Sequence, residues 1–137
     1  IFIKDKILQI LKKKTKKKTK ILICGLTFKE NCNDIRNSKI FDLIKMLKSY
    51  KFKISLHDPY AIKENVYSLY KENIIEWNST KNNYDLIILS LNHNFYNKLN
   101  LKKIYSKLKK NGNIFDIKSA FFNAKYISKY KINYWSL

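Results

Sequence analysis

The chain has 137 residues, of which 45% are hydrophobic and 15% aromatic, which is enough to fill one core and suits a single domain. It has no run of about 18 apolar residues, so no transmembrane helix is expected, and its two cysteines fit a reducing compartment better than a disulfide framework. The formal net charge is +19, from 29 basic against 10 acidic residues. Such a charge can indicate a polyanionic partner. Nearly all of the excess is lysine, however, so we favour a solvated lysine surface over an evolved nucleic-acid face.

Residues 1–14 place apolar side chains at helical spacing, which predicts an amphipathic helix. Residues 12–20 hold seven lysines in nine positions, and we interpret them as a solvated linker in preference to a nucleic-acid arm. The chain starts without an initiating methionine and without the pattern of a signal peptide. We therefore expect a C-terminal piece of a longer protein, or a truncated product.

Five apolar runs bounded by polar residues predict β-strands at 21–24, 52–56, 84–91, 114–117 and 132–135, with a weaker candidate at 74–77. The segments between them predict helices that end near residue 50, at 63–70, and at 94–110 with a break near Asn100. Asn111-Gly112 is expected to form a turn or a helix stop. Strands that alternate with helices predict an α/β fold, in which helices cover both faces of a doubly wound parallel sheet.

The polar loop after the first predicted strand is the strongest candidate for a binding site. Residues 25–38 read Gly-Leu-Thr-Phe-Lys-Glu-Asn-Cys-Asn-Asp-Ile-Arg-Asn-Ser and connect that strand to the next helix. In open α/β sheets ligands lie beyond the carboxyl ends of the strands, and a helix start offers N–H groups to an anion. Lys29 and Arg36 add two cations. The loop therefore predicts a site for a phosphate-bearing small molecule, with Phe28, Lys29 and Arg36 at a shared mouth.

Other polar residues are interpreted as structural. Asp34, Asn37 and Ser38 are candidate caps of the following helix, and His93 is expected to cap the helix that begins near residue 94. Asp58 ends the second strand, where we favour a turn or cap role over contact with a ribose.

Two kinds of site are predicted to be absent. Gly25 stands alone where a dinucleotide fingerprint needs three glycines, so it is expected to allow a turn or a close backbone approach. Cys24, in an apolar strand, is expected to be a core residue. No Cys/His/Asp cluster has the spacing of metal ligands, and we predict no metal site.

Four motifs, in order, resemble the C-terminal domain of the UDP-glucose/GDP-mannose dehydrogenase family. They are the 25–38 segment, His57-Asp58-Pro59-Tyr60, residues 84–93 and Phe115-Asp116-Ile117-Lys118. The similarity covers roughly residues 18–137 and is closest to the branch that oxidises UDP-N-acetylhexosamines for surface polysaccharides. Asn33 departs from the family pattern, which usually has proline there.

The resemblance implies a Rossmann-like fold and part of an NAD-dependent UDP-sugar 6-dehydrogenase that forms a uronate. Residues 1–20 would be a helix and basic linker from a preceding central domain, with the apolar stripe of the helix partly exposed without that domain. Residues 21–137 would be the UDP-sugar-binding domain. Phe28, Lys29 and Lys118 would bind the substrate, and Arg36 would contact NAD held mainly by an absent domain.

The family's catalytic cysteine belongs to the central domain, so the resemblance implies no catalytic residue in this chain. It further implies a cytoplasmic protein without a membrane partner that forms a homo-oligomer when complete. Two alternatives remain open at this point. One is a stand-alone basic module that binds nucleic acid, and the other is an inactive remnant of a truncated dehydrogenase.

Overall fold

The computed structural model describes residues 2–11 and 19–137. The strands are β1 (Lys20–Cys24), β2 (Lys53–His57), β3 (Tyr84–Leu89), β4 (Leu108–Asp116) and β5 (Asn133–Ser136). The α-helices are α1 (Phe2–Leu11), α2 (Ile40–Ser49), α3 (Lys63–Tyr70), α4 (Asn94–Tyr105) and α5 (Lys125–Lys129). Most of the predicted lysine-rich linker, residues 12–18, lies outside the described residues.

The strands form one sheet in the order β2-β1-β3-β4-β5, and every neighbouring pair is parallel. Since a parallel pair needs a crossover, helices connect the strands and cover the sheet. Chain connections leave in opposite directions from β1 and β3, so the crevice between the carboxyl ends of these two strands is the expected ligand site. The predicted Rossmann-like, doubly wound α/β/α fold is confirmed.

Two apolar clusters cover the two faces of the sheet. On one face, buried residues of α1, α2 and α3 pack against Ile21, Ile23, Leu86 and Ile88. On the other face, buried residues of α4 pack against alternate positions of the same strands. Every residue of β3 is buried, as its continuous apolar run predicts for a central strand.

The amphipathic pattern of α1 is explained by packing within this chain. Ile7 and Leu11 are completely buried and Ile10 is almost so, while Phe2 remains exposed. The expectation that the apolar stripe would be partly exposed therefore holds at Phe2, while the rest of the stripe joins the core cluster of α2 and β1. Among the described residues, no helix has both the length and the apolar character to cross a bilayer.

Several element predictions are confirmed, and others need correction. The helix at 63–70 is confirmed, as is the break in α4, where Asn100 has φ of 67° and ψ of 166°. The segment 74–77 contains only one isolated bridge, from Ile74 to Leu56. It is followed by a short 3₁₀ turn at Trp77–Ser79.

The carboxyl end of α4 and the start of β4 differ from the prediction. The helix ends at Tyr105, not at residue 110, and Asn111-Gly112 lies inside β4. Asn111 has φ of 66°, and the pairing of β4 with β3 changes register between Tyr84 and Leu86. The Asn-Gly signal therefore marks a strand irregularity, which accommodates a positive φ as a turn would.

Candidate functional site

The loops after β1, β3 and β4 meet at one edge of the sheet. Gly25 follows β1 with φ of +106°, and its N–H donates to the His57 carbonyl oxygen at 2.9 Å. A Cβ at this position would lie 2.8 Å from Ser90 Oγ. The Ser90 hydroxyl donates to the carbonyl oxygens of Cys24 and Gly25. The predicted role of Gly25 in a close backbone approach is confirmed.

A cavity of about 550 Å³ opens at this edge. Its walls come from the loops after β1, β3 and β4, from the first turns of α2 and from α1: Thr27, Phe28, Ser90, Leu91, Ile117, Lys118, Ser38, Lys39, Ile40, Asp42, Leu43, Met46, Ile3 and Lys4. The cavity therefore lies where the strand order predicts a ligand crevice.

The cavity combines apolar walls with positive charge. Phe28 presents a ring that is 58% exposed, and Leu43 and Met46 add apolar surface. Lys39 and Lys118 bring cations. The start of α2 has no side-chain cap, so the N–H groups and the dipole of its first turn add positive potential. This combination suits a ligand with a flat organic part and an anionic group.

The predicted site residues divide between two places. Phe28 and Lys118 line the cavity together. Lys29 is exposed in the same loop but is not among the residues that line it. Arg36 lies in a separate recess beside Ile62 and Leu69 of the α3 region. The structure thus brings Phe28 and Lys118 together, and Arg36 does not share their cavity.

Asp34 contacts Arg36 and does not cap a helix. Its Oδ1 accepts the Arg36 backbone N–H at 2.9 Å and the guanidinium Nε–H at 3.1 Å. This hydrogen bonding lowers the pKa of Asp34 and raises that of Arg36. The helix itself begins at Ile40 with Lys39 at the N-cap position, so the predicted capping by Asp34, Asn37 or Ser38 is wrong.

Glu30 links the loop after β1 to the loop after β3. Its carboxylate accepts the Asn92 backbone N–H at 3.4 Å. The pKa of Glu30 is lowered mainly by a hydrogen bond from its own backbone N–H, with smaller contributions from the Asn92 N–H and the nearby positive charge of Lys118. Glu30 and Lys118 are therefore electrostatic neighbours beside the cavity.

A buried polar network that joins the loops after β1, β2 and β3 was missed by sequence reasoning. Asp58 Oδ1 accepts the N–H groups of Tyr60 at 2.8 Å and Ala61 at 3.0 Å, which confirms its turn role. Its Oδ2 accepts the Leu26 N–H at 2.6 Å and lies 2.9 Å from His93 Nε2. Burial raises the pKa of Asp58, but these hydrogen bonds outweigh it and hold the pKa below the ordinary value.

His93 occupies the N-cap position of α4, but its side chain does not cap the helix. The helix N–H of Asn94 is accepted by Asn31 Oδ1, at 2.8 Å, from the loop after β1. The signal that predicts these contacts is positional, because Leu26, Asp58 and His93 each lie just beyond the carboxyl end of a strand in the same parallel sheet.

The Asp58–His93 pair does not have the geometry of a catalytic triad. In a triad the nucleophile and the carboxylate bind different ring nitrogens of the histidine. Here Thr27 Oγ1, at 3.3 Å, and Asp58 Oδ2 both approach Nε2. Within the described part of the chain, no group of three His, Cys, Asp or Glu residues is placed to hold a metal ion.

His57 and Cys24 are structural. His57 Nδ1 lies 2.8 Å from Tyr96 Oη, and the ring packs against Trp77 and Phe95. Burial lowers the pKa of His57 to about 4. Cys24 is completely buried, which confirms the core prediction, and burial raises the pKa of its thiol.

Solved structures show the same fold. The chain superposes on the UDP-N-acetyl-mannosamine dehydrogenase Cap5O from S. aureus with a TM-score of 0.70 and 22% identity, over 98% of this chain and 29% of that one. It superposes on a UDP-D-ManNAc dehydrogenase from Pyrococcus horikoshii with a TM-score of 0.68 and 17% identity, with the same coverage.

Sequence comparison reveals closer relatives. The chain is 36% identical over 99 residues to a UDP-N-acetyl-D-glucosamine 6-dehydrogenase from Salmonella typhi, and 30% identical over 100 residues to one from Pseudomonas aeruginosa. Each match covers 72% of this chain and 23% of the relative, so the chain spans about a quarter of their length. Residues 22–123 match the model of the UDP binding domain of the UDP-glucose/GDP-mannose dehydrogenase family. The match covers most of this chain, and this chain has the fold of the solved dehydrogenases. The chain therefore belongs to the UDP-glucose/GDP-mannose dehydrogenase family.

Proposed function

We propose that this chain is the substrate-nucleotide-binding domain of an NAD-dependent UDP-sugar 6-dehydrogenase, which oxidises a sugar alcohol to a uronate for polysaccharide biosynthesis. The observation that carries the proposal is the cavity at the carboxyl ends of β1, β3 and β4, where Phe28 and Lys118 meet. A nucleoside diphosphate has a flat base and an anionic diphosphate, and the cavity offers an exposed ring and cations beside a helix start.

The predicted substrate contacts receive different physical roles in this proposal. Phe28 supplies an apolar face for the ligand, and Lys118 supplies a charge to the diphosphate from the loop after β4. Lys29 extends from the loop that carries Phe28, and its exposed ammonium is available to the part of the substrate that projects beyond the cavity. UDP is the nucleotide supported by the family match and by the relatives' names.

The described residues do not fit a complete dinucleotide site. Gly25 is the single glycine of the turn after β1. Asp58, at the end of β2, is occupied by the N–H groups of Leu26, Tyr60 and Ala61 and by His93. We propose that NAD is held mainly by a domain outside this chain, with Arg36 as a contact to its diphosphate. When bound, NAD accepts the hydride that leaves the sugar.

The complete protein is longer than this chain in the proposed function. The catalytic thiol is proposed to lie outside this chain: Cys24 is buried in the core with a raised thiol pKa, and the Cys32 thiol donates to the Lys29 carbonyl oxygen of its own loop at 3.3 Å. We propose that the complete protein works in the cytoplasm as a homo-oligomer.

Calorimetric titration of the 137-residue chain with UDP tests the binding proposal. We expect Lys118→Ala to weaken UDP binding by about tenfold, because a hydrogen bond to a charged group contributes on the order of 1.5 kcal/mol or more. Phe28→Ala should weaken it by a similar factor through lost stacking on the ring. Lys98→Ala, an exposed lysine of α4 that does not line the cavity, is the matched control and should bind UDP like the wild type.

Two results would count against this assignment. The first is the absence of UDP binding by the wild-type chain at millimolar ligand. The second is equal affinity in the wild type, Lys118→Ala and Lys98→Ala, which would place the nucleotide elsewhere on the surface.

A further inference from the structure

His93 lies where the loops after β1, β2 and β3 meet. Its side chain is completely buried. Nε2 lies 2.9 Å from Asp58 Oδ2, and Nδ1 accepts the Asn31 backbone N–H at 2.9 Å. Asp58 follows β2 and Asn31 lies in the loop after β1, so one imidazole ring connects three segments of the same sheet edge.

The hydrogen bonds define the protonation state of this ring. The backbone N–H of Asn31 is only a donor, so Nδ1 must be an unprotonated acceptor. The ring proton is then on Nε2, which donates to Asp58 Oδ2. Thr27 Oγ1, 3.3 Å from Nε2, donates its own proton to the Lys29 carbonyl oxygen at 2.9 Å and can therefore only accept from the ring. A neutral imidazole protonated at Nε2 satisfies all of these contacts.

These bonds hold both ends of the segment 26–31. At one end the Leu26 N–H donates to Asp58 Oδ2 at 2.6 Å, and at the other the Asn31 N–H donates to His93. Between them Phe28 projects from the surface with 58% of its area exposed. Since the ring of Phe28 is outside the core, the backbone that carries it decides where the ring stands.

Asn31 joins the loop after β1 to α4 as well as to His93. Its side-chain oxygen accepts the Asn94 N–H at 2.8 Å, so Asn31 is joined to α4 through its side chain and to His93 through its main chain. Asn31 has φ of 58°, a left-handed conformation that asparagine tolerates better than most residues. The segment is thus held in a specific backbone conformation where it meets the cavity.

We propose that His93 is a positioning residue of the nucleotide cavity. Its neutral imidazole, oriented by Asp58, holds the Asn31 N–H and thereby sets the segment that presents Phe28 to the ligand. His93 itself does not line the cavity. The consequence for binding rests on the proposed UDP site, whereas the effect on the loop can be measured without ligand.

Two substitutions separate the functions of the ring nitrogens. His93→Asn keeps an acceptor near the place of Nδ1 and loses the donor to Asp58, while His93→Gln keeps a donor near the place of Nε2 and loses the acceptor for Asn31. By calorimetry on the 137-residue chain, we expect His93→Asn to bind UDP within about threefold of wild type and His93→Gln to bind about tenfold more weakly. Urea unfolding of each variant shows whether their stabilities are comparable.

Amide hydrogen exchange gives a readout that needs no ligand. We expect the Asn31 amide to exchange slowly in the wild type and in His93→Asn, and faster by tenfold or more in His93→Gln. The Ile87 amide, in the central strand β3, serves as the internal reference for overall unfolding. A variant that is merely destabilised would accelerate exchange at both amides, whereas the proposal expects acceleration at Asn31 alone.

The outcomes distinguish this inference from the proposed function. Equal exchange at Asn31 and equal UDP affinity in all three proteins would overturn the positioning role. Equal losses of affinity in both variants, with Asn31 still protected, would also overturn it, because affinity would then be lost while the hydrogen bond of the Asn31 N–H is kept. The expected exchange pattern in a wild-type chain that does not bind UDP would support the positioning of the loop and refute the nucleotide site.

Discussion

Gly25 is the residue at which the backbone of β1 turns into the loop that follows it. Its φ of +106° is strained for any residue with a side chain, and an added Cβ would meet Ser90 Oγ at 2.8 Å and Leu91 Cβ at 3.0 Å. We expect Gly25→Ala to lower the free energy of unfolding by about 3 kcal/mol, since backbone strain and overpacking each contribute on the order of 1–3 kcal/mol. Urea denaturation followed by far-UV circular dichroism measures this change.

Ser68→Ala, at an exposed position of α3, is the control for the Gly25 measurement and should change stability very little. If Gly25→Ala were as stable as the control, the tight approach of the loop after β3 to Gly25 would be wrong. The positions of Ser90 and Leu91 in the cavity wall would then also be wrong.

His57 makes stability depend on pH. Its pKa falls from 6.5 to about 4 in the folded chain, chiefly because the ring is buried. Between these values the unfolded chain binds a proton that the folded chain does not, so the contribution is fully present above pH 6.5 and is lost as pH falls toward 4. We expect about 2 kcal/mol of stability to disappear from this cause between about pH 7 and about pH 4.5.

The contribution of His57 is isolated by His57→Gln, which cannot titrate in this range. Urea midpoints measured across the same pH interval should decline less steeply in the variant than in the wild type. Asp58, whose folded pKa is lowered, adds a loss at lower pH in both proteins and therefore cancels in the comparison. Parallel pH profiles would contradict the assignment to His57.

At the scale of elements, α1 is an integral part of the domain core. Leu11 is completely buried in the cluster formed with α2 and β1, whereas Phe2 of the same helix is 69% exposed. We expect Leu11→Ala to lower the free energy of unfolding by about 3 kcal/mol, the usual cost of a cavity left by leucine. Phe2→Ala, with little buried area to lose, should stay within about 0.5 kcal/mol of wild type.

Equilibrium unfolding in urea tests the role of α1. It gives both the midpoint of the transition and the slope of the free energy of unfolding against urea concentration. Similar small effects of both substitutions would show that α1 is not held on the sheet in solution. A lower slope in Leu11→Ala would indicate partial loss of the helix from the folded state.

The strands were predictable from sequence where burial on both faces leaves an unbroken apolar run. β3 is the clearest example, with every residue buried. β4 was predicted only from Ile114, because its first part contains Lys109, Lys110 and Asn111 with exposed side chains. A strand that begins in solvent lacks the apolar signal, and the same segment was therefore assigned to the preceding helix.

The candidate site was predictable only in part, because its contacts join distant positions. The loop after β1 and its cations were visible as a local motif. The pairing of Asp58 with His93, 35 positions apart, depends on the strand order and on the exact ends of β2 and β3. Likewise, the cavity places Phe28 beside Lys118, while Arg36, further along the same loop after β1, lines another recess.

At the scale of the whole molecule, the net charge of +19 has opposite consequences for folding and for binding. Like charges repel more strongly in the compact state than in the unfolded chain, and salt screens this repulsion. We expect the free energy of unfolding to rise between about 0.05 M and about 0.5 M NaCl, where the Debye length shortens severalfold. Lys102→Glu, on the exposed surface of α4, lowers the charge and should reduce the salt slope.

Binding of UDP should change in the opposite direction over the same salt range, because screening weakens the attraction between the anionic diphosphate and the lysines of the cavity. The alternative of a basic nucleic-acid module makes a different prediction. A phosphate-dominated complex loses affinity linearly on a log–log plot against salt and does not depend on one lysine. We expect single-stranded oligonucleotides to bind weakly, with an affinity that Lys118→Ala leaves nearly unchanged. Tight, salt-sensitive oligonucleotide binding in a chain that does not bind UDP would favour the nucleic-acid module, since a delocalised charge and not the cavity would then carry the function.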